Sequence, residues 1–199
     1  MIRFQNVTFS YAGYAGEETA NSVSNIDLMI PAGQTVLLTG PSGCGKSTLL
    51  RLLNGLCPHF YEGKLDGSVL VDGKKPADVP LYEMAELLGS VFQNPRSQFY
   101  NVDTNGELAF ACENQGMEKD EILQRMEKSV ARFQLEDLLN RNVFHLSGGQ
   151  KQQLACATVD VAGPDIFLLD EPSANLDYEA TQRLREVIRT WQKVGKPYL

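Results

Sequence analysis

The chain has 199 residues, of which 43% are hydrophobic and 22% charged, and its formal net charge is −7. This length and composition are typical of a globular protein with one large domain and a well-formed core. The acidic balance disfavours broad nonspecific binding to nucleic acid, which is therefore not an expected partner. Four scattered cysteines without a C-x-x-C pair favour a reduced, cytosolic setting. No apolar run is long enough to cross a membrane, so we expect any membrane role to come through a partner.

The first part of the chain predicts short strands joined by tight turns. Residues 2–4 and 7–11 indicate one strand and its continuation, and residues 23–30 alternate apolar and polar side chains as a half-buried strand does. Residues 31–33, which read Pro-Ala-Gly, predict a turn. The apolar residues 36–38 predict a buried strand directly before the next motif.

Residues 40–48 match G-x-x-x-x-G-K-[ST], the phosphate-binding loop or Walker A pattern. Leucines at helical spacing follow, so the motif has the strand, loop and helix context that a chance glycine-rich turn would lack. The glycines let backbone N–H groups surround an anion, Lys46 can reach the β- and γ-phosphates, and Ser47 can bind Mg²⁺. We expect nucleotide contacts from the whole loop: Gly40, Pro41, Ser42, Gly43, Cys44, Gly45, Lys46, Ser47 and Thr48.

After this loop the sequence predicts alternating helices and strands. The loop helix is predicted to end at the Cys-Pro pair of residues 57–58. Residues 67–71 predict a strand closed by an Asp-Gly turn, residues 81–88 a short helix and residues 90–93 a buried strand.

Residues 105–139 carry apolar side chains at helical spacing with charged residues between them. We interpret residues 100–145 as a helical subdomain inserted into a single domain that covers residues 1–199. Its apolar residues are predicted to form core packing rather than a groove for a partner.

The last part of the chain combines two helices with a strand that ends in two carboxylates. Residues 146–150 begin a helix, residues 178–193 predict an amphipathic helix, and residues 195–199 predict the start of another strand. Residues 166–171 read Ile-Phe-Leu-Leu-Asp-Glu and predict a buried strand. At its end, Asp170 can hold Mg²⁺ as a Walker B aspartate does, and Glu171 can orient and deprotonate an attacking water.

The pentapeptide Leu-Ser-Gly-Gly-Gln at residues 146–150 is the signature of the ATP-binding cassette (ABC) ATPases, and the chain resembles this family from end to end. The resemblance places Tyr11 where the family has the aromatic ring that stacks on adenine, Gln93 at the Q-loop and residues 173–177 at the D-loop. It implies an α/β fold: a P-loop NTPase core with a mixed sheet flanked by helices, an antiparallel β subdomain and an inserted α-helical subdomain.

In this family, two nucleotide-binding domains pair head to tail and hold ATP between the phosphate loop of one and the signature of the other. The resemblance therefore implies ATP and Mg²⁺ as cofactors and a second ABC ATPase subunit as partner. The implied catalytic residues are Glu171, Gln93 and Lys46, and the implied metal ligands are Ser47, Gln93 and Asp170. Beyond the phosphate loop, the implied ATP-binding residues are Tyr11, Ser147, Gly148, Gly149, Gln150 and Asp177.

Several stretches resemble, more narrowly, the ATPases of energy-coupling-factor (ECF) importers for vitamins and metals. Residues 54–56, 69–73 and 93–99 carry this likeness. It implies a transmembrane coupling subunit, a substrate-binding membrane subunit and a location at the cytoplasmic face of the membrane. The transported substrate and the choice between a homodimer and a heterodimer stay open.

The sequence departs from the family in its histidines. The family has a switch histidine after the D-loop helix, whereas this sequence contains only His59 and His145, both before Asp170. The sequence therefore resembles a cassette truncated before that histidine, and we expect the chain to bind ATP but to hydrolyse it poorly alone. The alternatives are a nucleotide-binding module with little or no hydrolysis and a soluble ABC ATPase without a transport role. The signature and the D-loop argue against a phosphate-loop kinase.

Overall fold

The computed structural model describes residues 1–13, 22–174 and 176–193. The chain divides into two compact units, one formed chiefly by Met1–Leu88 and the other by Gly89–Val194. Within the described ranges, no helix combines the length and the apolar character that crossing a membrane requires. The predicted strand at residues 195–199 lies outside the described residues.

A three-stranded antiparallel sheet organises the first unit. Strand β1 (Ile2–Tyr11) lies between β2 (Val23–Ile30) and β3 (Gly63–Val71). The predicted strands at residues 2–11 and 23–30 are confirmed. Strand β3 begins four residues earlier than predicted, because its pairing with β1 continues as far as Tyr11 and Gly63. The buried face of β1 presents Ile2, Phe4, Val7 and Phe9.

A bulge in β1 explains why its buried residues do not alternate evenly. Asn6 has a φ of 49°, in the left-handed region that asparagine tolerates, and the pairing register shifts between Phe4 and Val7. The Asp27 side chain accepts a hydrogen bond of 2.8 Å from the Asn6 backbone N–H. On β3, a Cβ atom at Gly67 would lie 2.4 Å from the Asn6 carbonyl oxygen, so the bulge requires glycine there.

Three helices complete the first unit: α1 (Lys46–Leu53), the short α2 (Leu56–His59) and α3 (Leu81–Leu87). The predicted end of the loop helix at residues 57–58 is wrong. Helix α1 ends at Leu53, because Gly55 adopts a left-handed φ of 80° that stops the helix.

The predicted buried strand at residues 36–38 is also wrong. These residues form no strand, and Leu37 is 83% exposed. An apolar run becomes a strand only where a neighbouring strand takes up its backbone hydrogen bonds. The β2-β1-β3 sheet does not include residues 36–38.

The described residues of the second unit form a two-stranded sheet and four helices. Strand β4 (Leu88–Val91) pairs with β5 (Ile166–Leu169). Helices α4 and α5 both pack against α6, and α7 packs against α5 and α6. Short 3₁₀ turns lie at Pro95–Ser97, Glu136–Leu138 and Val143–His145. The helices are α4 (Thr104–Asn114), α5 (Lys119–Phe133), α6 (Gly148–Ala162) and α7 (Tyr178–Lys193).

The helical character of residues 105–139 and 178–193 is confirmed, whereas the 100–145 boundary of an inserted subdomain stays a prediction. The strand predicted at residues 90–93 lies two residues earlier in the structure, as β4. The Phe92 N–H donates to the Gln98 side chain at 3.2 Å, which takes it out of the strand ladder, and Asn94 then caps the following 3₁₀ turn.

A nearly buried carboxylate joins three helices of the second unit. Asp160 on α6 accepts hydrogen bonds from Arg132 on α5 at 2.5 Å and from the Trp191 indole on α7 at 2.6 Å. The Trp191 ring also stacks on Phe167 of β5, with ring centroids 3.9 Å apart. We call this set of four residues the Asp160 junction.

Candidate functional site

The phosphate loop leads directly into α1, whose N-terminus carries the partial positive charge of the helix dipole. Gly43 and Gly45 have φ values of 79° and 94°, which glycine adopts without steric cost. A Cβ atom at Gly45 would lie 2.7 Å from the Ser22 carbonyl oxygen and 2.6 Å from Val23 Cγ1. The loop therefore packs against the start of β2 so closely that only glycine fits at this position.

Lys46 lies over its own loop. Its Nζ donates to the carbonyl oxygens of Gly40 and Pro41, each at 3.0 Å, and lies 3.9 Å from the Cys44 sulfur. The ammonium group is therefore held above the backbone that would surround an anion. The two neighbouring hydroxyls, Ser47 and Thr48, belong to the first turn of α1.

Tyr11, at the end of β1, is tied to α1 through its hydroxyl. The phenol oxygen lies 3.1 Å from Thr48 Oγ1 and accepts a hydrogen bond of 3.1 Å from Arg51 Nη1. The Arg51 guanidinium carbon lies 4.4 Å from the centre of the Tyr61 ring. Burial raises the pKa of the Cys57 thiol, which lies 3.9 Å from the same phenol, while the hydrogen bond to Tyr11 and the Arg51 charge oppose that rise. We call Tyr11, Thr48, Arg51, Cys57 and Tyr61 the Tyr11 cluster.

The second unit brings two of the predicted catalytic residues together. Gln93 Nε2 donates a hydrogen bond of 2.9 Å to Glu171 Oε2, although the residues are 78 positions apart. Strand β5 ends at Leu169, and the Asp170 N–H still bonds the Val91 carbonyl at 2.9 Å. Glu171 then turns out of the sheet with a φ of 50°, a conformation that costs energy for a residue other than glycine. The turn presents the Glu171 carboxylate to solvent beside Gln93.

The signature forms the start of α6 as a reciprocal capping box. The Gln150 N–H donates to the Ser147 hydroxyl at 3.2 Å, and the Gln150 side chain accepts from the Ser147 N–H at 2.9 Å. Gly148 is exposed, and a Cβ atom there would meet no other atom within 4 Å. Helix geometry leaves the N–H groups of the first turn pointing outward, so Gly148 and Gly149 present donors to solvent.

The predicted nucleotide ligand Asp177 lies directly before the last helix, α7. Its side chain accepts a hydrogen bond of 2.8 Å from the Ala180 N–H, and its carbonyl oxygen accepts from the Thr181 N–H at 2.9 Å. Asp177 therefore holds the N-terminus of α7.

Two buried charges support the exposed segments around the signature and the Q-loop, and sequence reasoning missed both. Lys151 is only 5% exposed and donates from Nζ to the Phe144 carbonyl at 3.1 Å. Glu107 is 4% exposed and accepts from the backbone N–H groups of Tyr100 at 3.0 Å and Asn101 at 2.7 Å. The periodicity marked both positions as polar and gave no signal of their burial.

Sequence reasoning also missed Arg51 and Tyr61 of the Tyr11 cluster. A signal for Arg51 existed, because it lies three residues after Thr48 and so shares its face of α1. Tyr61 follows α2, and no local pattern links it to Arg51.

The geometry can be compared with known proteins. The family model described as ABC transporter matches residues 23–174. A protein of Treponema denticola named as an ABC transporter ATP-binding protein is 45% identical over 98% of this chain, which spans 39% of that relative. A similarly named protein of Pyrococcus abyssi is 37% identical over 98% of this chain, which spans 69% of it.

Solved structures show the same architecture. CbiO1 of Clostridium perfringens, part of the ABC transporter complex CbiONQ, has a TM-score of 0.79 and 27% identity, with 99% of this chain and 76% of that chain covered. The ATP-binding cassette MJ0796, in a dimeric post-hydrolysis state bound to ADP and Pi, has a TM-score of 0.84 and 29% identity. The match covers 100% of this chain and 86% of the MJ0796 chain. The fold is that of a P-loop NTPase cassette with an antiparallel sheet and helices, as predicted.

Proposed function

Because the chain belongs to the ABC transporter family of ATPases, we propose that it is an ATP-binding and ATP-hydrolysing subunit that powers a membrane importer of the ECF type for a vitamin or a metal. The chain spans 39% of the length of the Treponema denticola relative, so the activity of the whole protein is part of this proposal. The observation that carries it is the hydrogen bond between Gln93 and Glu171 at the end of a buried strand.

The chemistry we propose is attack of a water molecule on the γ-phosphate of ATP, which breaks the bond from the γ-phosphorus to the bridging oxygen and releases ADP and inorganic phosphate. The phosphate loop and the α1 N-terminus bind the triphosphate through backbone N–H groups, and Lys46 neutralises charge on it. The exposed Glu171 carboxylate accepts a proton from the attacking water, and the Gln93 amide holds that carboxylate in place. Tyr11 stacks on the adenine ring, as the family resemblance implies.

The residues present suit Mg²⁺ as the accompanying ion. Ser47, Gln93 and Asp170 offer a hydroxyl, an amide oxygen and a carboxylate, and such oxygen donors are the class that Mg²⁺ prefers. The Gln93 hydrogen bond to Glu171 uses the amide nitrogen, which leaves its oxygen as the donor for a metal. When bound, the ion would neutralise charge on the phosphates.

The second half of the site would come from a partner. We propose that the Gly148 and Gly149 N–H groups and the Ser147 hydroxyl bind the γ-phosphate held by a second ABC ATPase subunit in a head-to-tail pair. Asp177, a predicted nucleotide ligand, would act by fixing the start of α7. The dimeric state of MJ0796 supports this arrangement.

An exposed apolar area supports the proposed membrane partner. Tyr100, Val102 and Phe144 are 78%, 58% and 70% exposed, and a 2.8 Å bond from the Val143 N–H to the Val102 carbonyl joins their two segments. The family receives a coupling helix of the membrane subunit at the Q-loop and nearby helical region. We propose this area as the docking surface, which places the chain at the cytoplasmic face of the membrane, together with a coupling and a substrate-binding membrane subunit.

Two substitutions test the nucleotide site in the purified chain. Lys46→Ala should weaken ATP binding by about 10- to 100-fold, since it removes a charge-assisted contact. Glu171→Gln should retain ATP binding and lower turnover by about 100-fold or more. Isothermal titration calorimetry and phosphate release measure the two effects, and the exposed Lys75→Ala serves as the matched control. ATP affinity that is unchanged in Lys46→Ala would contradict the proposal.

The importer role needs its own test. Coexpression with the membrane subunits of an ECF importer should give a complex that takes up substrate in proteoliposomes only when ATP is present. Uptake should be lost in the Glu171→Gln variant. A chain that hydrolyses ATP yet never assembles with such subunits would instead be a soluble ABC ATPase.

A further inference from the structure

We propose that the Tyr11 hydroxyl, which accepts a hydrogen bond from Arg51, sets the distance between the Tyr11 ring, where the adenine base would stack, and the phosphate loop. Arg51 is then a positioning residue for base stacking. This inference rests on the proposed function, because it assigns the Tyr11 ring to the adenine base. It concerns one hydrogen-bonded chain that runs from Arg51 through Tyr11 to Thr48.

The chain of hydrogen bonds passes through a single phenol group. Arg51 has only donors, so the Tyr11 oxygen accepts at their contact of 3.1 Å. Thr48 Oγ1 lies 3.1 Å from the same phenol oxygen, and either hydroxyl can donate at that contact. Thr48 is 6% exposed and directly follows Ser47. One phenol group therefore links the end of β1 to the turn of α1 that carries the predicted phosphate and metal ligands.

The ring of Tyr11 is fixed by its neighbours as well as by its hydroxyl. Phe9 packs edge-on against it with centroids 5.0 Å apart, and Tyr61 does so at 6.3 Å. Arg51 lies over the face of Tyr61 at 4.4 Å, so the guanidinium that holds the phenol is itself held by an aromatic ring. The position of Tyr11 is thus determined from three directions.

The consequence is a fixed spacing between base and phosphate contacts. ATP has a fixed length, so it can make both contacts only if the aromatic ring and the phosphate loop keep their separation. When the ring and the loop already have this separation, less conformational entropy is lost on binding. Loss of the phenol link should therefore weaken the recognition of ATP while leaving the recognition of its triphosphate part intact.

The test compares ATP with inorganic tripolyphosphate as ligands of the full chain, measured by calorimetry. Tyr11→Phe keeps the ring and removes the hydroxyl, and Arg51→Met keeps the aliphatic stem and removes the donor. Each should lower ATP affinity by about three- to tenfold, the range expected for one net hydrogen bond, with tripolyphosphate affinity unchanged within about twofold. Tyr82→Phe removes the same hydroxyl from a tyrosine that is 68% exposed and lies outside the Tyr11 cluster, so it serves as the matched control with unchanged binding.

Three results would overturn the inference. Equal losses for ATP and tripolyphosphate would show that the cluster acts on the fold of the phosphate loop, and a lowered midpoint of thermal unfolding in both variants would accompany them. Unchanged ATP affinity in both variants would show that the link has no role. Failure of the unmodified chain to bind either ligand would contradict the proposed function itself and is separate from both of these results.

Discussion

The four thiols of the chain lie in different surroundings, and this decides their chemistry. Cys44 is exposed in the phosphate loop, whereas Cys57, Cys112 and Cys156 are buried. Burial raises the pKa of Cys156 from 9.0 to about 12, and the nearby Asp160 carboxylate adds to the rise. Burial also raises the pKa of Cys57 and Cys112. Since the thiolate is the reactive form and a reagent must also reach it, the exposed Cys44 is the thiol open to modification in the folded chain.

Alkylation should therefore single out Cys44. Iodoacetamide at pH 8 should modify Cys44 in the folded chain, and Cys156 should stay unmodified even at pH 9 because its thiol remains protonated there. Peptide mass spectrometry measures the sites, and denaturation in urea should expose all four. The Cys44→Ser variant should remain unlabelled. Labelling of Cys156 as fast as that of Cys44 would contradict the burial described for α6.

Among the elements, helices α5, α6 and α7 meet at the Asp160 junction. The Asp160 side chain is 6% exposed, so its charge is largely removed from water and depends on Arg132 and Trp191 for compensation. The same indole stacks on Phe167 of β5, the strand that leads to Asp170 and Glu171. The junction thus ties the helical region to the strand that carries the proposed catalytic carboxylates.

Truncation of Asp160 should destabilise the second unit. Asp160→Ala leaves the Arg132 and Trp191 donors without their acceptor, which should cost about 1–3 kcal/mol in the free energy of unfolding. Asp160→Asn keeps an oxygen for Trp191 and should cost less. Urea unfolding followed by tryptophan fluorescence measures both, with the exposed Asp165→Asn as control. Equal stability of all three variants would mean that the junction contributes nothing.

The sequence predicted elements well where a local pattern decides them. The alternation in β2 and the 3.6-residue period of α7 predicted both elements with their observed bounds. The end of α1 was missed because it depends on the left-handed conformation of Gly55 rather than on the later Cys-Pro pair. Residues 36–38 were missed because an apolar run does not reveal whether a neighbouring strand will pair with it.

The candidate site could be predicted only in part for a related reason. Pattern alone predicted the phosphate loop and the two carboxylates after β5. The pairing of Gln93 with Glu171 joins residues 78 positions apart, and only the family resemblance suggested a shared role for them. Arg51, Lys151 and Asp160 act through contacts between elements, and residue type and spacing do not encode such contacts.

At the scale of the whole molecule, the exposed signature bears on how the chain would pair with a second ATPase subunit. The signature presents its donors at the exposed start of α6, and the proposed partner of those donors is ATP bound to a second chain. A formal charge of −7 on each copy would oppose the pairing of two copies, so in the proposed pair the contacts to ATP would have to outweigh that repulsion.

Pairing should depend on ATP and on Ser147. In a Glu171→Gln background, which is expected to slow turnover, ATP should shift the chain from monomer to dimer in light scattering if the proposed partner is a second copy. Ser147→Arg should retain monomer ATP binding and block the shift because its side chain fills the γ-phosphate position. Gln115→Arg adds the same side chain at an exposed site on the end of α4 and should still dimerise. Pairing that survives in Ser147→Arg would place the signature outside the interface.

The capping box at the start of α6 restricts which residue can serve at position 147. Its oxygen already accepts the Gln150 N–H, so the hydroxyl proton of Ser147 remains available to donate away from the helix. Aspartate would cap the helix equally well, yet its negative charge would repel a phosphate. Asparagine would also cap the helix, but its larger side chain would occupy the space that is open beside Gly148. A small hydroxyl stabilises the helix and still has a proton to donate to an anion, so helix folding and the proposed nucleotide recognition favour the same residue here.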